Sequence, residues 1–327
     1  MFTNSTPDPQ QRQEYILQAS RLLHQGVEQQ QAGELSAAVK SLEQSLALFQ
    51  IGGDCQRQAQ VLCYLASLAY TVGDYVNAVS YSQQCLSLVK DRQDLQLQAL
   101  SHLGNAYRHL EEYNQAIESL QACLQIAQQL QDKRSQIAAL NNLGLVYKAL
   151  HDLPRTLELQ QQSLEIIRQL QDCWGEEQVL KNLGNSCYAL GYYAKAIDYY
   201  QQCLTKVRSR HCIRTAIQLL KNLANACHAM GEYSQAIAYH EQRLQLARQI
   251  QDWYAQQQCL RSLAVAWETL GDYAQAIVYY EQLLQLARSL NHRRSEEQTL
   301  TSLKIACYAA GDCVKAMEYQ QQLAKLL

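Results

Sequence analysis

The sequence predicts an all-α chain built from about eight stacked helix pairs. Three observations carry that expectation. A signature of Gly-Asp/Glu-Tyr, followed after two residues by Ala-Ile, returns at near-constant spacing. It reads Gly73-Asp74-Tyr75 with Ala78-Val79, Glu111-Glu112-Tyr113 with Ala116-Ile117, Gly231-Glu232-Tyr233 with Ala236-Ile237 and Gly271-Asp272-Tyr273 with Ala276-Ile277. Weaker copies sit at Gly33, His151, Gly191 and Gly311, and the anchors are 40 residues apart at every step but one, which is 38. A fixed period in this range marks a repeat architecture, in which each unit buries its apolar face against its neighbours. The other two observations are the near absence of proline (Pro7, Pro9 and Pro154 only) and a small residue recurring at two positions of each period.

The elements follow in order. Residues 1–10 carry no apolar periodicity and are expected to be a disordered tail, with the solenoid running over 11–327. The stretch from Asp172 to Leu204 serves as the type repeat. Asp172 is a candidate N-cap, aligned with Asp54, Asp94, Asp132 and Asp252. Val179, Leu180, Leu183, Cys187 and Leu190 then share one helical face, so the spacing predicts a first helix over 173–190. Gly191 supplies the left-handed stop, and an Asp or Glu after it in the other copies caps the second helix. That helix, predicted over 193–208, buries Tyr193, Ala196, Ile197, Tyr200 and Leu204.

Two small-residue ladders imply close helix approach. The first helices carry Gly26, Ala66, Gly104, Gly144, Gly184, Ala224 and Ala264, and the second carry Ala38, Ala78, Ala116, Ala196, Ala236, Ala276 and Ala316. Mid-helix Gly is about 1 kcal/mol worse than Ala, so its recurrence at one register needs a packing reason. The expected contact is Gly184 against Ala196. Three departures stand out: Glu111 and His151 replace the turn glycine, Thr156 replaces the second-helix Ala, and Lys304 replaces the small residue of the last first helix.

Composition narrows the function. The formal net charge of −2 gives no overall attraction to nucleic acid or anionic membrane, and no apolar run is long enough to span a bilayer. The N-terminus has no secretory pattern. Of the twelve cysteines, Cys85, Cys123 and Cys203 share one second-helix position, and Cys187, Cys227 and Cys307 share one first-helix position. There is no C-x-x-C pair, so they read as small packing residues in a reducing cytoplasm, with no metal or cofactor implied. No phosphate loop, nucleophile elbow or zinc-protease motif occurs, which argues against an enzyme. The column Tyr81, Tyr199, Tyr239, Tyr279 and Tyr319 reads as packing.

Leu103-Gly104-Asn105-Ala106-Tyr107, the Gly-x-Tyr turn and the second-helix Ala together resemble the tetratricopeptide repeat, over residues 11–327. The 40-residue period and the recurring Asn-Leu-Gly resemble its long-repeat subclass, found in the spindle adaptor Pins/LGN, kinesin light chains and bacterial signalling proteins. That resemblance implies a right-handed superhelix, an α-solenoid whose first helices line a concave, peptide-binding groove. Carried onto this sequence, the groove positions are His102, Asn105, Arg108, Asn141, Asn142, Lys148, Lys181, Asn182, Asn185, Tyr188, Lys221, Asn222, Asn225, His228 and Arg261. Asn presents both donor and acceptor to an extended backbone, while Lys181, Lys221 and Arg261 form a cationic stripe suited to carboxylates.

The expected function is therefore a non-enzymatic adaptor or scaffold that holds an extended, acidic segment of a protein partner. Neither nucleic acid nor membrane insertion is implied. The alternatives are a peptide-sensing regulator, a self-associating module that dimerises through its C-terminal end, and a chaperone-tail binder. Lys181, Asn185 and Asn222 partly resemble the last of these, whose carboxylate clamp would need further cations near Gln258 and Ser262, both neutral.

Overall fold

The protein is described by a computed structural model covering residues 8–89 and 92–326, and these contain sixteen α-helices and no strand. In chain order they are α1 (Pro9–Gln31), α2 (Leu35–Gly52), α3 (Cys55–Thr71), α4 (Tyr75–Leu88), α5 (Gln93–His109), α6 (Tyr113–Gln129), α7 (Lys133–Ala149), α8 (Leu153–Gln169), α9 (Cys173–Ala189), α10 (Tyr193–Ser209), α11 (Ile213–Ala229), α12 (Tyr233–Gln249), α13 (Trp253–Thr269), α14 (Tyr273–Ser289), α15 (Arg293–Ala309) and α16 (Cys313–Leu326). They form two compact units, Met1–Gln171 and Asp172–Leu327. Within each unit, every odd-numbered helix packs on the even-numbered helix after it, and that helix packs on the next odd one. The type repeat is as expected to within one residue at each helix end. Pro9 opens α1, where its fixed φ suits the first turn, and residues 1–7 of the expected tail lie outside the described residues.

The 40-residue period has a simple physical origin. From α5 to α15 each helix holds 17 residues. Links such as Leu190-Gly191-Tyr192 hold three residues, so two helices and two links complete one period. Each such link is closed by a reverse bond to the preceding helix, Tyr192 N–H to Cys187 C=O at 2.9 Å in the type repeat. The middle residue is left-handed. Gly191 has φ 77°, but Glu111 and His151 adopt φ 62° and 58° in the same role. The links between repeats use the same geometry, with Gly53 in the first and non-glycine residues at Gln131, Gln171, His211, Gln251 and Asn291. A non-glycine residue there costs about 1–2 kcal/mol, which helix packing on both sides offsets.

Capping separates Asp from Glu. Asp54, Asp132, Asp172 and Asp252 accept backbone N–H bonds at the first-helix starts, as do Asp74, Asp152, Asp272 and Asp312 at the second. Glu34, Glu112 and Glu232 occupy the same cap position without a side-chain bond, because the extra methylene overshoots the N–H. Asp94 is not a cap, contrary to expectation. α4 is only 14 residues long and the segment 89–92 after it is one residue longer than the other links, which together account for the single 38-residue step, and Arg92 takes the cap position. Asp94 sits in the first turn of α5 and pairs with Arg92 at 2.6 Å.

The small-residue ladder meets a large residue as well as the expected alanine. A Cβ on Gly184 would lie 2.4 Å from the Tyr200 ring, and in the equivalent pairs Gly26 and Gly104 also approach the Ala38 and Ala116 carbonyls, at 3.4 and 3.3 Å. Gly26 and Gly104 face Leu42 and Leu120 in the same way, 16 positions on, at 2.7 and 2.5 Å. Gly144 is the exception, with nothing within 4 Å, since Gln160 replaces the large apolar residue. Lys304 is half-buried.

The cysteines divide. Eight are buried, and Cys85, Cys123 and Cys203 each point their thiol at a first-helix carbonyl, that of Ala59, Leu97 and Glu177. Burial raises several of these thiols to about 11. Cys55, Cys173, Cys212 and Cys313 are exposed at helix starts and do not pack, so the reading of all cysteines as packing residues is corrected there. The tyrosine column links successive second helices: Tyr279 to Glu241 at 2.8 Å, Tyr319 to Glu281 at 2.9 Å, and Tyr81 to Glu43 at 3.3 Å, while Tyr239 accepts from Gln201. A parallel row joins Arg208 to Gln242, Arg248 to Gln282 and Arg288 to Gln322.

Two measurements test this packing. Gly184→Ala should destabilise the protein by about 1–3 kcal/mol in urea unfolding through overpacking on Tyr200. Gly144→Ala should stabilise it by up to about 1 kcal/mol. The same sign for both would contradict the packing assigned to the ladder. In thiol labelling of the folded protein, the four exposed cysteines should react fast and the eight buried ones only on denaturation. Fast reaction of Cys187 or Cys203 would contradict the burial.

Candidate functional site

In the unit 172–327, α9, α11, α13 and α15 form one layer. Their side chains are linked from repeat to repeat: Asn222 donates to Asn185 at 3.4 Å, and Arg261 to Gln298 at 3.2 Å. Of the expected site residues, Asn185, Asn222 and Arg261 are joined across this layer, while Tyr188 and His228 turn their rings edge-on to Tyr193 and Tyr233 of the second helices. Lys181, Lys221 and Asn222 are half-buried, while Asn182, Asn185, Tyr188, Asn225, His228 and Arg261 are exposed. A pocket of 430 Å³ lies on it, lined by Arg261, Val265, Glu297, Gln298, Thr301 and Ser302 with Tyr280 behind.

The cations here rest on neutral groups. Lys181 donates to Gln178 at 2.9 Å and Arg261 to Gln298. Lys221 has no hydrogen bond or ion pair among the described residues. Where this unit does neutralise a cation it does so elsewhere, in Lys206–Glu176, Arg210–Glu177 and Arg288–Glu296. The Asn set is divided. Asn185 accepts from Tyr200 Oη at 2.7 Å as well as from Asn222, whereas Asn182 and Asn225 make no hydrogen bond among the described residues.

Sequence reasoning missed the contribution of the second helices. Side chains of α10, α12 and α14 pass between the first helices and reach this face from behind. Tyr200 does so at Asn185, and Tyr280 at Glu268, 3.1 Å away. The same register in α12 holds His240, buried, with Nδ1 unpartnered. Three residues on, Arg243 is buried with Nε unpartnered, while its Nη2 donates to Gln258 at 2.8 Å. Gln258, itself neutral, thus carries a cation from the layer behind. The available signal was the column Ser45, Cys85, Cys123, Ser163, Cys203, in which Arg243 is the outlier.

The unit 8–171 presents a less charged first-helix face. His102 lines a 370 Å³ pocket with Tyr64, Ser67 and Gln98, beside the Arg92–Asp94 pair. Burial lowers its pKa, so the ring is neutral in ordinary conditions. Arg108 contacts His109 at 2.8 Å, and His109 stacks on Tyr75 at 4.3 Å; neither lines the His102 pocket. Asn105 and Asn142 are half-buried, Lys148 is exposed, and Asn141 accepts from Ser163 at 3.2 Å. No group of three or more metal-ligating side chains occurs among the described residues, and no described helix is long and apolar enough to cross a membrane.

The comparisons agree with this architecture. The tetratricopeptide repeat model matches residues 95–169, 135–209, 176–249 and 215–289, which overlap across more than half of the chain. This chain is a tetratricopeptide repeat protein. Among solved structures, it is similar to the C-terminal part of a tetratricopeptide repeat protein from Cytophaga hutchinsonii (TM-score 0.60, 14% identity, 81% of this chain and 95% of that one). It is also similar to a signal transduction ATPase with a tetratricopeptide repeat sensor from Pyrococcus horikoshii (TM-score 0.59, 16% identity). That match takes in 99% of this chain but only 53% of the other, so the chain spans about half the length of that protein. A third is aspartyl phosphate phosphatase F from Bacillus subtilis (TM-score 0.56, 15% identity, 85% of this chain and 72% of that one). At these identities the likeness shows the fold alone. No curated protein matches the sequence.

The buried imidazole yields a pH prediction. Burial, then the charge of Arg243, then His228, push His240 down from 6.5 to about 4. Between those values the unfolded chain takes up a proton that the folded protein refuses. Stability should therefore fall as pH drops from about 6.5 to 4, by up to about 3 kcal/mol from this residue. His240→Tyr keeps the register residue of the flanking pairs, Tyr200 and Tyr280. Its melting temperature should fall less over that range than that of the unmodified protein. An equal fall would show that His240 does not carry the effect.

Proposed function

We propose that this tetratricopeptide repeat protein is a non-enzymatic adaptor that binds an extended, acidic segment of a partner protein on the first-helix face of residues 172–327. The observation that carries the reading is the set of cations there without carboxylate partners: Lys181 and Arg261 rest on glutamine amides, and Lys221 has no partner among the described residues. An incoming carboxylate would form charge-assisted bonds that the glutamines cannot match. Asn182 and Asn225, exposed beside them, offer donor and acceptor groups to a peptide backbone. Two acids reach this face: Glu297 lines the Arg261 pocket, and Glu268 accepts from Tyr280 Oη at 3.1 Å with its pKa raised by burial. The eight buried thiols fit a reducing, cytoplasmic setting. The partner remains defined by its chemistry: an extended backbone with closely spaced carboxylates.

Fluorescence anisotropy with a labelled, acetylated and amidated hexaglutamate peptide tests this. Lys221→Ala should weaken binding by about ten-fold, a low-end loss for one charge-assisted contact. Lys221→Glu should weaken it further, because repulsion is added to lost attraction. Asn222→Ala should weaken it with little dependence on salt, since a neutral contact is not screened. Equal affinities for all three variants and the unmodified protein would show that the ligand lies elsewhere.

A further inference from the structure

Arg243 has no need to be an arginine for the fold. At the same register, Ser45 donates to the Ala19 carbonyl, Cys85 to that of Ala59 and Cys203 to that of Glu177. Leu283 fills it in the next pair without any polar group. Only in α12 does the column hold a guanidinium. It is 4% exposed, its Nε has no partner, and no carboxylate lies within ion-pairing distance among the described residues. His240, 6% exposed and three residues earlier, adds a second unpartnered nitrogen, Nδ1. A buried charge held only by a neutral amide and a thiol, with no carboxylate, is destabilising unless something completes it.

The pair also has an outlet. Besides its interaction with the Cys259 thiol, Arg243 donates to Gln258, which is half-buried on α13. Gln258 shares its register with Gln178, Gln218 and Gln298, whose amides bond Lys181, Asn222 and Arg261 on the first-helix face. The Gln258 side chain thus stands between the buried guanidinium and the proposed ligand surface. A rotation of that amide would open Nε and Nη2 of Arg243 side by side, the fork geometry that receives one carboxylate through two bonds.

We infer that Arg243, His240 and Gln258 form an anion subsite behind the first-helix face of residues 172–327, filled by one side-chain carboxylate of the bound acidic segment. The inference rests on the proposed function and adds its specificity-determining position. A carboxylate there would displace Gln258 from Arg243, accept from Nε and Nη2, and accept a further bond from His240 when Nδ1 carries the proton. Lys221 and Arg261 would gather acidic segments by charge. The buried fork would select those with a carboxylate able to reach inward.

The test is Arg243→Leu, which copies Leu283 of the following pair. Two readouts are taken on the full chain: the melting temperature without ligand, and affinity for the acetylated, amidated hexaglutamate peptide, with Lys221→Glu measured beside it. The inference expects an unchanged or higher melting temperature, because an unpaired buried charge is removed, together with at least a ten-fold loss of affinity. Unchanged affinity in Arg243→Leu, with Lys221→Glu weakened, overturns the subsite and leaves the groove reading standing. A markedly lower melting temperature overturns it too, since the arginine would then be a satisfied structural residue. Absence of hexaglutamate binding to the unmodified protein overturns both readings. Arg243→Lys, which keeps the charge without the fork, should recover only part of the affinity, and full recovery would remove the two-bond geometry.

Discussion

Everything in this molecule depends on how closely the first helix of a pair approaches the second. That distance is set by one residue on each side, 16 positions apart in sequence. Glycine at 26, 104 and 184 admits Leu42, Leu120 and Tyr200 to positions that a Cβ would block. Because helix, link and cap lengths repeat, the same approach recurs at the same register, and side chains of one layer can reach through the other. Tyr200 arrives at Asn185 by this route, and His240 and Arg243 come to lie under the first-helix face by the same one. The candidate site is therefore made by both layers, although only one is on its surface.

The period, the helix bounds and most caps were legible because each is written locally. An Asp caps through its own side chain, a left-handed link follows from three residues, and a 17-residue helix needs only its own pattern. The failures are non-local or geometric. Asp94 looked like a cap because a two-residue shortening upstream moved the helix start under it. Ladder logic paired the glycines with the second-helix alanines but missed the large residue four positions on, which the lean of helical side chains brings over Gly184 as Tyr200. The exposed cysteines at helix starts were hidden by the buried majority.

The electrostatic character of the face was half legible. Lys181, Lys221 and Arg261 could be placed on it from their register, but not their partners, since glutamine and glutamate at a neighbouring position differ only in what they neutralise. This chain uses glutamine repeatedly, at Gln178 and Gln298 on the first-helix face and at Gln242, Gln282 and Gln322 between the second helices. An amide holds a cation in place without cancelling its charge. On the second-helix side this orders a solvated surface. On the first-helix side it leaves positive charge fixed beside exposed asparagines.

The claim that this face takes up an acidic segment is tested most directly by the side-chain amide resonances of ¹⁵N-labelled protein during titration with the hexaglutamate peptide. The account predicts saturable shifts for Asn182, Asn185, Asn222 and Asn225, with Gln258 among the largest as it leaves Arg243. Shifts confined to Gln242, Gln282 and Gln322, with the asparagines unmoved, would place the ligand on the opposite layer and contradict it.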